Sequence, residues 1–344
     1  MMADGPLLDP RVNLGAQLDQ MVSSGIQSLR VTFDWSSAQT YANWHDVPAG
    51  QAGKFSPAPG GVPTDFSATD EIVGLAAQRR LALLPVVVYS PRWDASPVGS
   101  HVQPRRAEPF ANYLTALVQR YGPRGSFWAS HPWLAREPIR AWQIWNEPNI
   151  AFYWDTPHFA RGYVSLLRAA HRVIKRADPG ASIVLAALTN YSWLDLAAIY
   201  AVPGARRLFD VVGSNAYTSK PAGVITILDR VRRVMDSHGD HHKPLLATEV
   251  GWPSALGKTK QDYGLNTTQG GQAKKLAQLL PMLARNRRRL GLSRFYYYTW
   301  LSSDTPDGPS FDFSGLLAFD PADAHIYAKP AYAAFRRAVL ALEG

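Results

Sequence analysis

Two glutamates stand where a carboxylate could do chemistry. Glu147 lies in Trp145-Asn146-Glu147-Pro148-Asn149, at the end of the apolar, aromatic-rich stretch 139–145. The proline disfavours helix at the residue before it, so Glu147 falls where a strand gives way to a loop. A second stretch has the same design: Pro244-Leu245-Leu246-Ala247-Thr248 runs into Glu249, then Val250-Gly251-Trp252-Pro253. Each glutamate has a tryptophan beside it and a proline soon after. Two strand-end carboxylates suit cleavage of a glycosidic bond, which needs one proton donor and one nucleophile or base. Held about 5–5.5 Å apart, they would push their pKa values in opposite directions, leaving one acid and one anion near neutral pH. The competing reading gives each glutamate only a salt bridge at its strand end.

Positioning such a pair calls for alternating strands and helices. Seven segments, 28–33, 81–88, 139–145, 182–187, 209–214, 244–248 and 294–299, are short and nearly continuous in apolar character, as strands buried on both faces are. Between them the period changes to that of helices: Val224, Leu228, Val231 and Met235; Tyr163, Leu166, Ala170 and Val173; Tyr332, Phe335, Val339 and Leu342. The alternation predicts an α/β fold, a (β/α)8 TIM barrel in one domain spanning 1–344. An open doubly wound sheet competes with it. The barrel needs one more strand before the first helix, 11–24, and Asp4-Gly5-Pro6 reads as the loop following it. The first strand is therefore expected to be missing or shortened at an N-terminus that looks truncated, and a secretion signal could have gone with it. Loops 39–65 and 257–270 are long enough to wall a pocket or cleft.

Composition narrows the chemistry. There are no cysteines, which excludes disulfides, thiolate nucleophiles and Cys-ligated metals. The net charge of +9 raises the question of nucleic acid. However, Arg230, Arg232 and Arg233, and Arg285 and Arg287 to Arg289, fall on or just after amphipathic helices, where a solvated face accounts for them. No nucleic-acid partner is expected. The longest apolar run, 81–89, is too short to span a bilayer, and residues 1–6 show no signal peptide. The cluster His238-Gly239-Asp240-His241-His242 lacks the spacing of a closed metal site, so no metal and no cofactor is expected.

The motifs resemble those of clan A glycoside hydrolases, whose acid/base glutamate follows Asn on strand four and whose nucleophile ends strand seven. Trp145-Asn146-Glu147-Pro148-Asn149 is most similar to family 39; families 5 and 1 share only Asn-Glu-Pro. The resemblance implies that Glu147 is the acid/base, Glu249 the nucleophile, and Asn146 a partner of the sugar 2-hydroxyl. Arg30 resembles the arginine that orients the nucleophile, and Tyr217 the tyrosine that donates to it. Asn215 departs from the pattern, because a histidine commonly stands two residues before that tyrosine.

Sugars also need flat apolar surface. Trp300 is expected to be the main platform and Trp93 a further substrate contact. For Trp93, as for Trp35 and Trp252, packing at the rim is the alternative. The expected partner is an oligo- or polysaccharide cleaved at a β-linkage with retention. The rivals are an endo-acting β-glycanase of the family 5 kind and a catalytically silent carbohydrate-binding barrel.

Overall fold

The computed structural model describes residues 1–96, 102–155 and 158–343. Strands and helices alternate throughout: β1 (Met2–Ala3), α1 (Leu14–Ser23), β2 (Ser28–Asp34), α2 (Ser67–Gln78), β3 (Ala82–Val88), α3 (Ala107–Tyr121), β4 (Ala141–Ile144), α4 (Phe159–Ala177), β5 (Ser182–Val184), α5 (Ser192–Tyr200), β6 (Val212–Asn215), α6 (Pro221–Ser237), β7 (Leu245–Val250), α7 (Gln269–Leu290), β8 (Leu292–Tyr297) and α8 (Pro330–Glu343). The chain divides into two compact units, Met1–Val31 with Gly213–Gly344, and Thr32–Val212.

In the first unit the first strand, expected to be missing or shortened, is present as two residues. Met2 and Ala3 pair parallel with Arg30 and Val31. The Arg30 N–H donates to the Met1 carbonyl at 2.9 Å, and Thr299 Oγ1 lies 3.0 Å from the Met2 carbonyl oxygen. A second sheet has the order β8-β7-β6, with β8 and β7 parallel and registered from Leu292 opposite Leu245 to Tyr297 opposite Val250. Every residue of β7 is buried, as its unbroken Leu-Leu-Ala-Thr-Glu-Val run requires of a strand covered on both faces. Helix α6 turns Val224, Leu228, Val231 and Met235 inward, the period read from sequence. Helix α7 starts at Thr268, whose side chain accepts the Gly271 N–H, and ends at Gly291 in the left-handed conformation. After β8 an antiparallel hairpin, Leu317–Asp320 with His325–Ala328, precedes α8.

In the second unit β3, β4 and β5 lie side by side and parallel, with Val86 opposite Gln143 and Ala141 opposite Ser182. A further parallel bridge joins Val184 to Val211. Loop 39–65 contains its own small hairpin, Ser56–Pro57 against Pro63–Thr64. Among the described residues no helix is long and apolar enough to cross a membrane.

The basic clusters are partly neutralised within the fold. Arg232 is buried and bonded to Asp236, while Arg233 and Arg289 both pair with Asp229. Among the described residues no three His, Asp or Glu side chains are gathered as metal ligands would be.

Candidate active site

Glu249 sits in the last turn of the β7 pleat, 7% exposed. Both of its oxygens accept hydrogen bonds. Arg30 Nη1, from β2, donates to Oε1 at 2.6 Å, and Tyr217 Oη, from the loop after β6, donates to Oε2 at 2.7 Å. Arg30 is fully buried within an otherwise apolar strand, so its charge requires a partner, and Glu249 supplies it. Two donors from different directions leave the carboxylate little rotational freedom. The strand ends are also tied: Thr248 Oγ1 donates to Asn215 Oδ1 at 2.8 Å, and the Ala216 N–H donates to the Glu249 carbonyl at 2.9 Å. Asn215, the departure from the resembled pattern, thus serves to join β6 to β7. Gly251 is needed just beyond, because a Cβ there would collide with the Tyr298 carbonyl oxygen.

A third carboxyl lies in this surrounding that the sequence reading left in a loop. Asp4 follows β1 directly, and its Oδ1 accepts from Thr299 Oγ1 at 2.8 Å. Burial pushes the Asp4 carboxyl up to about 6; the Thr299 hydrogen bond opposes this and the Glu249 charge adds to it. Its signal in the sequence was an acidic residue at the carboxyl end of a strand, hidden because that strand is two residues long.

In the second unit Asn146 and Glu147 follow β4, both buried. Asn146 bridges to Ala187, and the Glu147 N–H donates to the Ala187 carbonyl at 2.9 Å. Trp145 and Glu147 adopt φ of 72° and 38°, a left-handed backbone that non-glycine residues adopt at a cost of about 1–3 kcal/mol. Trp145 is anchored by its indole N–H to the Tyr153 carbonyl at 3.1 Å. Trp93 is half-buried; its indole donates to the Gln39 carbonyl at 2.7 Å, and its ring meets Trp35 edge-on at 5.9 Å. Trp35 and Trp252 are both buried without exposed surface, as rim packing would have them.

Trp300 does not offer the platform expected of it. It is 0% exposed, its indole N–H donates to Gln17 of α1 at 2.9 Å, and its ring meets Tyr332 of α8 edge-on. Strand β8 stops at Tyr297, short of the strand expected over 294–299, so Trp300 does not stand at a strand end. The aromatic residue beside Glu249's partner is Tyr298 instead, 6.4 Å from the Tyr217 ring and half-buried.

No family model matches the chain, and no curated protein matches it. Solved structures do. A family 39 glycoside hydrolase from the gut symbiont Bacteroides cellulosilyticus WH2 aligns over 95% of this chain and 60% of its own, with TM-score 0.63 and 17% identity. A monomeric β-xylosidase from Caulobacter crescentus CB15 aligns over 98% and 66%, with TM-score 0.63 and 17% identity. The GH53 catalytic domain of Ignisphaera aggregans aligns over 93% and 87%, with TM-score 0.60 and 18% identity. The fold is that of the glycoside hydrolases. The chain spans less than two thirds of the length of the family 39 hydrolase and of the Caulobacter enzyme.

Proposed function

We propose that this chain is a (β/α)8 catalytic domain that hydrolyses a β-linked glycosidic bond with retention, acting on an oligo- or polysaccharide. The observation that carries the reading is Glu249, a buried strand-end carboxylate gripped by Arg30 on one oxygen and Tyr217 on the other. A nucleophile needs that grip: fixed aim, and compensating positive charge where water is excluded.

In the first step Glu249 attacks the anomeric carbon while Glu147 gives its proton to the leaving oxygen. The C–O bond breaks, the leaving alcohol departs, and a glycosyl ester on Glu249 remains. In the second step Glu147, now a carboxylate, takes a proton from water, which attacks the same carbon and releases Glu249. One water is consumed, and two inversions restore the β configuration. Asn146 bonds the 2-hydroxyl, and Trp93 lends its exposed edge to substrate. Retention requires the two carboxyls about 5–5.5 Å apart, too close to admit a water beneath the sugar.

The test is a panel of aryl β-glycosides and oligosaccharides followed by proton NMR. A β-configured first product supports the reading, whereas an α product would mean inversion. No turnover of any member would leave a sugar-binding barrel without catalysis.

A further inference from the structure

An aromatic path leads away from Glu249. The Tyr217 ring, whose hydroxyl is bonded to Glu249, meets Phe311 at 5.1 Å and 65°. Tyr298 meets Phe311 at 5.8 Å and 88°. Phe311 in turn stacks on Tyr263 at 5.7 Å and 30°, and Tyr263 is 59% exposed. The rings come from the loops after β6, β7 and β8, all within the first unit.

These loops form a built wall. Thr259 Oγ1 donates to the Gly308 carbonyl at 2.6 Å, and the Asp307 N–H donates to the Lys258 carbonyl at 3.1 Å. Gln261 Oε1 accepts the Ser310 N–H at 2.9 Å, and Ser310 Oγ donates to Asn266 Oδ1 at 2.5 Å. Beneath, the buried Lys329 ammonium donates to Asp304 at 3.0 Å and to the Phe313 carbonyl at 2.9 Å. The pair presents an aromatic face to solvent rather than closing on itself. Here the inner ring is half-buried and the outer one open, on loops whose ordering entropy is already spent.

We propose that Tyr263 and Phe311 form a stacking subsite for a second sugar ring of a β-linked oligosaccharide, next to the ring that reacts at Glu249. The inference rests on the reading that Glu249 receives a sugar. A pyranose presents a flat C–H face that an exposed tyrosine ring accepts, and the ring path ends at the residue bonded to Glu249. The site therefore favours chains over single sugars.

The experiment is calorimetric binding of xylo-, cello- and manno-oligosaccharides of one to four units to the full chain. It is carried out in a Glu249→Gln background, which removes the nucleophile, with and without Tyr263→Ala or Tyr263→Phe. Tyr263 is exposed, so thermal melting should show the substitutions folded. In the parent, affinity is expected to rise roughly 5- to 10-fold from one unit to two. Tyr263→Ala should reduce that rise below about 2-fold, and Tyr263→Phe should keep it. A rise that survives Tyr263→Ala, or a parent with no rise or no binding, overturns the subsite. Aryl-glycoside turnover by the unsubstituted protein is scored separately. Turnover with no length dependence sinks the subsite alone, whereas length-dependent binding without turnover sinks the catalytic reading alone.

Discussion

At Glu249 the backbone is ordinary strand and the side chain is held from outside, by a guanidinium on one oxygen and a phenol on the other. At Glu147 the unusual element is the backbone, with φ of 38° two residues after another left-handed residue and the N–H pinned to Ala187. In the proposed mechanism the two carboxylates carry different duties, and the difference suits them. A group that attacks as an anion and leaves as an anion gains from fixed donors throughout. A group that gives a proton up and takes it back must above all be aimed, and a locked backbone supplies aim.

Removing each carboxylate should break the comparison most severely. Glu249→Ala is expected to lower kcat by about 10⁴-fold or more on every aryl β-glycoside, because no covalent intermediate forms. Glu147→Ala should cost about 10²- to 10⁴-fold on poor leaving groups and much less on dinitrophenyl glycosides, which depart without protonation. Azide should rescue Glu147→Ala to give a β-glycosyl azide, and Glu249→Ala, if at all, to give the α-azide. Opposite anomers would mean that the two roles are exchanged.

Arg30→Met comes next, because it leaves Glu249 buried without its counter-charge. Breaking a buried pair on one side destabilises by about 3–5 kcal/mol, which a guanidinium chloride titration would register as a lower midpoint. Surviving folded protein should also lose at least about 10-fold in kcat. A variant of unchanged stability and rate would show that the ion pair does no holding. Tyr217→Phe is milder, deleting one hydrogen bond to a charged acceptor worth about 1.5–3 kcal/mol. The expected loss is roughly 10- to 100-fold in kcat with KM little changed, and a rise in KM alone would instead assign Tyr217 to binding.

How much of this the sequence carried depends on what encodes each part. Continuous apolar runs marked seven strands, because a strand covered on both faces must be apolar along its length. They overran where the ladder is short: 182–187 shrinks to Ser182–Val184, although Ala187 still bridges to Asn146. Two residues of β1 hold no period to read, so Asp4 was lost with them. Arg30 was read from the resemblance, and its place as a lone cation in an apolar strand, which demands an anion, agrees with its pairing to Glu249. Trp300 misled because a strand-end position fixes where a Cα lies, not which way the side chain turns once the pleat has ended. Phe311 and Tyr263 lie in loops, where no periodicity links residues that only tertiary structure brings together.

The smallest expected effect concerns charge, and it bears on the side-chain-held region. Asp4 shares the surroundings of Arg30 and Glu249, and its carboxyl is pushed up to about 6 from a usual value near 3.8, chiefly by burial. The folded state therefore binds this proton more tightly than the unfolded chain between pH 3.8 and about 6. Stability from this group is fully present below pH 3.8 and is lost as pH rises through about 6, where folding must keep a half-buried anion near Glu249. Asp4→Asn keeps an oxygen to accept from Thr299 but never ionises. The variant should match the parent at pH 4 and exceed it by about 1–2 kcal/mol at pH 8, less than the roughly 3 kcal/mol that carboxyl values of 3.8 and about 6 would give in full, because Asp4 keeps part of its surface in water. Urea unfolding of both proteins across that range reads it directly. A gap already present at pH 4 and constant upward would mean that Asn improves packing, and that the Asp4 charge adds nothing to how Glu249 is held.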